Sequence, residues 1–222
     1  GKYLLVTFAF RKTNAKEGIA MKLYYAPGAC SLSPHIVARE AGVDVDLVKV
    51  DLKSHTFDSG SDYYKVNPKG YVPALEVKAG EVLTEGPAIV QYLGDQKPQS
   101  GIVPSAGSME RYRLQELLGF INSEIHKTYS PLFNPDTKPE VADERREYLK
   151  KRYQYLEQLL GGREFLVGNK FTAADAYLFT VTSWAGHVKV DLSGFPNIQA
   201  YQKRIGARPA VQQAMKEEGL VK

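Results

Sequence analysis

A single cysteine, Cys30, lies in the stretch YYAPGACSLSPHIVAREAG (residues 24–42), where a glycine-containing loop runs into a helical pattern. A sulfur there faces the unpaired N–H groups and positive dipole end of a helix, which favour thiolate over thiol and predict a lowered pKa. Pro34 fits, because in the first helical turn its missing N–H is not needed. Position alone does not separate a reactive thiol from an inert one, since free cysteine also packs as a small hydrophobe. Cys30-x-x-Ser33 lacks a second, resolving cysteine, so any redox cycle at Cys30 needs an external thiol.

Two further stretches carry binding chemistry. In NPKGYVPALEV (67–77) a proline directly precedes a strand, where it cannot join the ladder, and Val72-Pro73 is a natural place for a cis peptide. A cis bond would turn the Val72 backbone outward to an extended peptide, strand addition in miniature, whereas the plain alternative is a strand-initiating proline. In LTEGPAIVQYL (83–93), Gly86-Pro87 opens a helix whose free N–H groups attract a carboxylate, and Glu85 stands ready for an amine. Alone, such an acid more often compensates the helix dipole. Together the three sites describe a small peptide with a central thiol, an extended backbone and an amino-acid head group. Glutathione matches that description.

The elements that must position these residues alternate at first. MKLYYA is a strand, residues 31–41 a helix with Ile36, Val37 and Ala41 at core spacing and Gly42 as its stop, and 45–52 a second strand. VPALEV (72–77) and EVL (81–83) read as a hairpin around Ala79-Gly80, and 86–96 as another helix. QKPQSGIVPSAG (96–107) breaks every pattern and reads as a linker. Beyond it the chain is helical: a run capped at Ser108, an amphipathic helix over 138–160 ending at Gly161-Gly162, and a helix opened by a Thr172-x-x-Asp175 capping box. FPNIQAYQKRIGA and RPAVQQAMKEEG follow as two shorter helices. The fold class is α+β, with a mixed-sheet domain over 21–100 and an all-α domain over 107–222.

Bulk properties exclude several functions. The chain of 222 residues is long enough for a proper core, and no apolar run reaches the ~20 residues of a membrane span. One cysteine excludes an internal disulfide framework and fits a reducing, cytoplasmic setting. The formal charge of +4 arises mostly from residues 1–20, where Lys2, Arg11, Lys12 and Lys16 outweigh Glu17. The remaining 25 basic and 24 acidic residues form no stripe that suits nucleic acid. Residues 1–20 read as an extension outside the functional fold, an extra strand in YLLVTFAF being the other reading. The histidines at 35, 55, 126 and 187 show no short ligand spacing, so no metal is expected, and Trp184 in TSWAGH reads as core.

From Met21 onward the sequence resembles the bacterial beta-class glutathione S-transferases. The resemblance is carried by MKLYYAPGACSLSPH, NPKGYVPALEV, LTEGPAIVQYL, INSEIHKTYSPLF (121–133) and FTAADAYLFTV (171–181) across about 200 residues. It implies a thioredoxin-like N-terminal domain, an all-helical C-terminal domain and a homodimer. It also implies conjugation of glutathione, as co-substrate and without a tightly bound cofactor, to hydrophobic electrophiles. Cys30 matches the cysteine that lies beside the glutathione sulfur and forms a mixed disulfide with it, so thiol–disulfide exchange or peroxide reduction is a second activity. Val72 and Pro73 match the backbone clamp, Glu85 and Gly86 the γ-glutamyl site, and His126 a histidine near the sulfur, with Asn122 and Ser123 as further contacts. Independently, Gln115, Gly119, Asn122 and His126 form a polar stripe beside the apolar Leu114, Leu117, Leu118, Ile121 and Ile125, as a cleft wall would. Three positions depart from the family pattern: His55 replaces a glutathione-contacting lysine, Tyr71 a glutamine and Gly119 an asparagine. His55 would hold a carboxylate less firmly at neutral pH. A non-catalytic protein that sequesters hydrophobic compounds is the alternative.

Overall fold

The structure, a computed structural model, describes residues 20–222; the expectation about residues 1–20 lies, but for the last of them, outside the described residues. Strand β1 (Met21–Tyr25) leads through helix α1 (Leu32–Ala41) to strand β2 (Val45–Asp51), which pairs parallel to β1 with Leu23 opposite Leu47. Parallel neighbours need such a crossover, and α1 supplies it. Strands β3 (Thr56–Phe57) and β4 (Ser61–Asp62) extend the β2 edge. Each has only two residues, too few to show a sequence period. The expected hairpin forms from β5 (Ala74–Lys78) and β6 (Glu81–Thr84), and β5 lies antiparallel to β1, giving the order β4-β3-β2-β1-β5-β6. Its first strand begins after Pro73 rather than at Val72, as a residue without an N–H requires.

Helix α2 (Gly86–Asp95) ends the sheet-containing part. Then come α3 (Met109–Phe120), a π-helical turn (Ile121–His126) and α4 (Lys127–Tyr129), continuous with one another. Helices α5 (Pro139–Leu159), α6 (Ala173–Thr182), α7 (Pro196–Gly206) and α8 (Pro209–Glu217) complete the chain. The fold is the α+β arrangement expected, a thioredoxin-like unit followed by an all-helical one.

Most of α1 is buried because it packs against the sheet, α2, α6 and α8 at once. Its Ile36 and Val37 share one apolar cluster with Leu23 and Leu75 of the sheet and Leu114, Leu178 and Val211 of the helical half. Each such side chain contributes roughly 1.5–3 kcal/mol by leaving water, so the two halves stabilise one another. The stretch 96–107 is correspondingly not a flexible linker. Ile102 and Val103 are buried, the Ile102 carbonyl accepts the Ala173 N–H (2.9 Å), and the Arg111 guanidinium binds the Pro104 carbonyl and both Asp95 oxygens. Gly94 makes this packing possible, since a Cβ there would lie 2.2 Å from Val103 Cγ2.

The capping box at the start of α6 is present. Asp175, fully buried, accepts the Thr172 N–H (2.8 Å), the Leu166 N–H (3.0 Å) and the Tyr201 hydroxyl (2.8 Å). Removing that carboxylate leaves three buried donors without an acceptor. Asp175→Ala is therefore expected to lower unfolding free energy by about 3 kcal/mol, read as a shift of the denaturant midpoint at constant slope.

Candidate active site

The loop that carries Cys30 is held from distant parts of the chain. Ser31 Oγ accepts the Ala26 N–H (3.1 Å) and donates to the Ala26 carbonyl (3.2 Å), closing the loop locally. At its tip Gly28 has φ +71°, a left-handed conformation suited to glycine. The Gly28 N–H donates to the Glu218 carboxylate (2.9 Å), and its carbonyl accepts the Trp184 indole N–H (2.9 Å). The buried Glu218 side chain also meets His35 Nδ1 of α1 (2.8 Å), and Glu217 meets His35 Nε2 (2.6 Å). Trp184 is buried as expected, and in addition ties the loop to the helical half.

Cys30 opens onto a cleft of about 630 Å³ between the two halves. Of the expected site residues, Cys30, His55, Val72, Pro73, Glu85, Gly86, Asn122 and His126 line it. Ser123 does not: its hydroxyl donates to the Gly119 carbonyl (3.0 Å), so it turns back along its own helix. The polar stripe is likewise only half correct. Gln115 donates to Gln91 (2.9 Å) and Gly119 lies outside the cleft, because the helix changes pitch at Ile121. Lys69, Lys127, Ser130 and Tyr177 also line the cleft and were missed, since no local pattern marks them.

The Cys30 thiol donates to the Val72 carbonyl (3.1 Å). The lowered pKa expected from the helix start is corrected: burial pushes the Cys30 thiol up to about 12, against the smaller opposite pull of the Cys30 and Ser31 amides. Helix α1 begins at Leu32, so the sulfur stands short of the helix end and its desolvation outweighs those two amides. The Val72–Pro73 peptide is cis. The preceding Tyr71 carbonyl is fixed by the Tyr63 hydroxyl (2.8 Å) and Asn67 Nδ2 (2.8 Å), while the Tyr71 ring is exposed.

At the far end of the cleft, Glu85 adopts φ +71° and ψ +115°, a conformation that costs a non-glycine residue of order 1–3 kcal/mol. Its carboxylate is paired with Lys69, whose Nζ also reaches Thr84 Oγ1 (2.8 Å). An acid and a base thus stand together at the start of α2. His55, at φ +54°, stacks its ring on Tyr64 (centroids 4.6 Å apart, planes at 19°).

On the helical side, burial lowers the His126 pKa to about 4, with Lys127 adding to the effect and Glu85 opposing it. Its Nδ1 meets the Tyr177 hydroxyl (2.6 Å), and that hydroxyl donates to Asn122 Oδ1 (3.0 Å). Aromatic edges adjoin it: Trp184 lies 5.2 Å from the His126 ring centroid and 5.4 Å from that of Phe133, which is exposed. Aromatic rings thus back the His126 side of the cleft.

Comparison with known proteins matches residues 19–95 to the family described as "Glutathione S-transferase, N-terminal domain" and residues 120–209 to "Glutathione S-transferase, C-terminal domain". Glutathione S-transferase GstA of Escherichia coli O157:H7 is 48% identical over 200 residues, covering 90% of this chain and all of that one. A sphingomonad glutathione S-transferase solved in complex with glutathione is 46% identical with a TM-score of 0.86, over 90% of this chain and all of that one. The beta-class glutathione S-transferase of Sphingomonas chungbukensis has the same identity and coverage and a TM-score of 0.87.

The protonated resting state of Cys30 has a direct consequence for alkylation. With its pKa pushed up to about 12, the Cys30 thiol is almost wholly protonated at pH 8, against about one in four ionised for an ordinary cysteine. Iodoacetamide labelling of the ligand-free protein, followed by intact mass, is expected to be slow at pH 8 and still rising at pH 10. A plateau below pH 9 contradicts the elevated pKa.

Proposed function

Because the chain belongs to the glutathione S-transferase family and resembles its bacterial beta class, we propose that it conjugates glutathione to hydrophobic electrophiles. The observation that carries this reading is the convergence, in one cleft, of a thiol (Cys30), a backbone clamp (Val72), an acid at a helix start (Glu85) and a neutral imidazole (His126). The glutathione-bound sphingomonad relative supports the ligand. In this reading the Val72 backbone pairs with the cysteinyl residue of glutathione, and Glu85 takes the γ-glutamyl ammonium. Lys69 and the Gly86 N–H face the adjoining carboxylate, and His55 meets the glycyl end. Asn122 borders the sulfur from the helical side. The electrophile rests on the side of the exposed Phe133.

His126 polarises the glutathione sulfur and takes its proton only as the sulfur bonds to the electrophile, since burial holds the free imidazole at a pKa of about 4. Cys30 is not the base, since its own thiol holds its proton against the Val72 carbonyl. Its chemistry is exchange: the Cys30 sulfur attacks the glutathionyl sulfur of a mixed disulfide between glutathione and another thiol, forming a Cys30–glutathione disulfide and releasing that thiol, which carries off the Cys30 proton. A second glutathione then regenerates Cys30 and leaves as the disulfide.

A homodimer is part of the proposal. The outward faces of α3 and α5 expose Met109, Tyr112, Tyr148 and Tyr155, and Leu117, Phe120 and Tyr155 line a shallow recess beside Glu116 and Arg152. That recess, with exposed aromatic residues on the same two helices, suits a second copy of the chain. A cytoplasmic setting follows from the lone cysteine.

Three measurements test the proposal. The purified protein is expected to be retained on immobilised glutathione and to turn over an aryl halide. Retention without turnover of either an aryl halide or a mixed disulfide would leave a sequestering protein instead. With glutathione disulfide, intact mass is expected to show one glutathione adduct, lost in Cys30→Ala; an adduct that persists refutes the assignment. Sedimentation is expected to give twice the chain mass, reduced to one by Tyr155→Glu, and a monomeric wild type refutes the dimer.

A further inference from the structure

Tyr177 has no role in the reading above, yet it is almost fully buried where the two cleft-lining residues of the π-helical turn, Asn122 and His126, meet. Asn122 and His126 stand four apart in that turn, and both reach the same hydroxyl oxygen: Asn122 Oδ1 at 3.0 Å and His126 Nδ1 at 2.6 Å. A π turn bonds i to i+5 and widens the helix locally, a feature frequent at functional sites. A tyrosine hydroxyl carries one proton and can donate it once. Since that proton goes to the carbonyl oxygen of Asn122, the short contact with His126 is made by a hydrogen on Nδ1 pointing at the tyrosine oxygen.

We infer that Tyr177 is a positioning residue that holds His126 as the Nδ1–H tautomer, so that Nε2 meets the cleft as a bare proton acceptor. The inference deepens the reading of His126 as the group that takes the thiol proton. The polar chain runs in one direction, from His126 Nδ1–H to the Tyr177 oxygen and from the Tyr177 proton to Asn122 Oδ1. Reversing it turns Nε2 into a donor, which can hydrogen-bond a thiolate but cannot remove a thiol proton. In the working direction, the proton passes from glutathione sulfur to Nε2 as the sulfur bonds to the electrophile, leaving an imidazolium whose Nδ1–H still donates to Tyr177. When sulfur has displaced the halide of an aryl substrate, the imidazolium returns its proton to water.

Two further observations agree. His126 is neutral at physiological pH, so its tautomer is a defined property of the resting protein. The ring is also clamped, with its plane at 90° to the Tyr177 ring and 63° to the Trp184 ring, which leaves the tautomer to the hydrogen bond.

The test is ¹⁵N NMR of the full-length, ligand-free protein labelled at histidine, with the His126 signals identified by their loss in His126→Gln. The wild type is expected to show a protonated Nδ1 and an unprotonated Nε2; the opposite pattern overturns the inference. Asn122→Leu keeps the tyrosine but removes the acceptor for its proton, which then turns to Nδ1. The Nε2–H form is therefore expected, whereas an unchanged tautomer refutes the directional chain. Asn122→Asp restores an acceptor and is expected to restore Nδ1–H. Tyr177→Phe is expected to lower kcat for an aryl halide about tenfold with KM for glutathione unchanged, a fraction of what positioned proton transfer contributes. A rise in KM with kcat unchanged would make Tyr177 a structural residue of the glutathione site. If the wild type turns over no aryl halide at all, the conjugation reading fails while the tautomer result still stands or falls on the spectra.

Discussion

The Gly28 peptide is the point on which the cleft depends. Its N–H is held by a carboxylate near the C-terminus, Glu218, and its carbonyl by the indole of Trp184. Cys30 lies two residues further on, so the sulfur is positioned by groups more than 150 residues away in the chain. The same carboxylate fixes His35 in the middle of α1, which links the helix and the loop before it to one buried charge. A buried carboxylate persists only where donors surround it, and these donors are supplied by the elements that must stay in register. Glycine is favoured at the tip because the left-handed backbone there is strained for other residues.

With the loop so held, desolvation governs the chemistry of the cleft. Both groups nearest the proposed sulfur site are pushed to their neutral forms, Cys30 toward the thiol and His126 toward the imidazole. Formal charges stand around them, Lys127 beside His126 and the Glu85–Lys69 pair at the start of α2. An apolar, neutral surrounding strengthens any charge that forms inside it, provided that a donor or acceptor is already aimed at it. On the proposed reading, the ligand brings the one proton that moves, and the site meets it with a preformed acceptor. The Glu85–Lys69 pair orients the ligand, and Glu85 offsets part of the lowering of the acceptor's pKa.

The elements were legible in the sequence wherever a single period or cap dictated them. Helix α1 with its Gly42 stop, the β5–β6 hairpin, the Ser108 cap and the Thr172–Asp175 box all appear where spacing and end chemistry put them. Two-residue strands such as β3 and β4 were not legible, because they exist only as pairings, β3 with β2 and β4 with β3. The stretch 96–107 has the composition of a linker but is anchored by Ile102, Val103 and the Arg111 guanidinium. Those anchors are long-range contacts that composition does not encode.

At the site, residue types alone determined which groups could serve: a lone thiol ahead of a helix, a proline-led strand, an acid before a helix start, and a histidine on a helix. They also determined that any partner for Cys30 must come from outside the chain, since there is no second cysteine. Tertiary structure decided how those groups behave. It reversed the direction of the Cys30 pKa, because burial is set by elements from both halves and outweighs the local helix field. It turned Ser123 away and brought Tyr177 in, because the π turn at Ile121 changes the helical phase that a 3.6-residue period assumes. Sequence spacing reports which residues share a face. Which ring nitrogen carries a proton depends on a hydroxyl 51 residues away, and only the folded chain brings the two together.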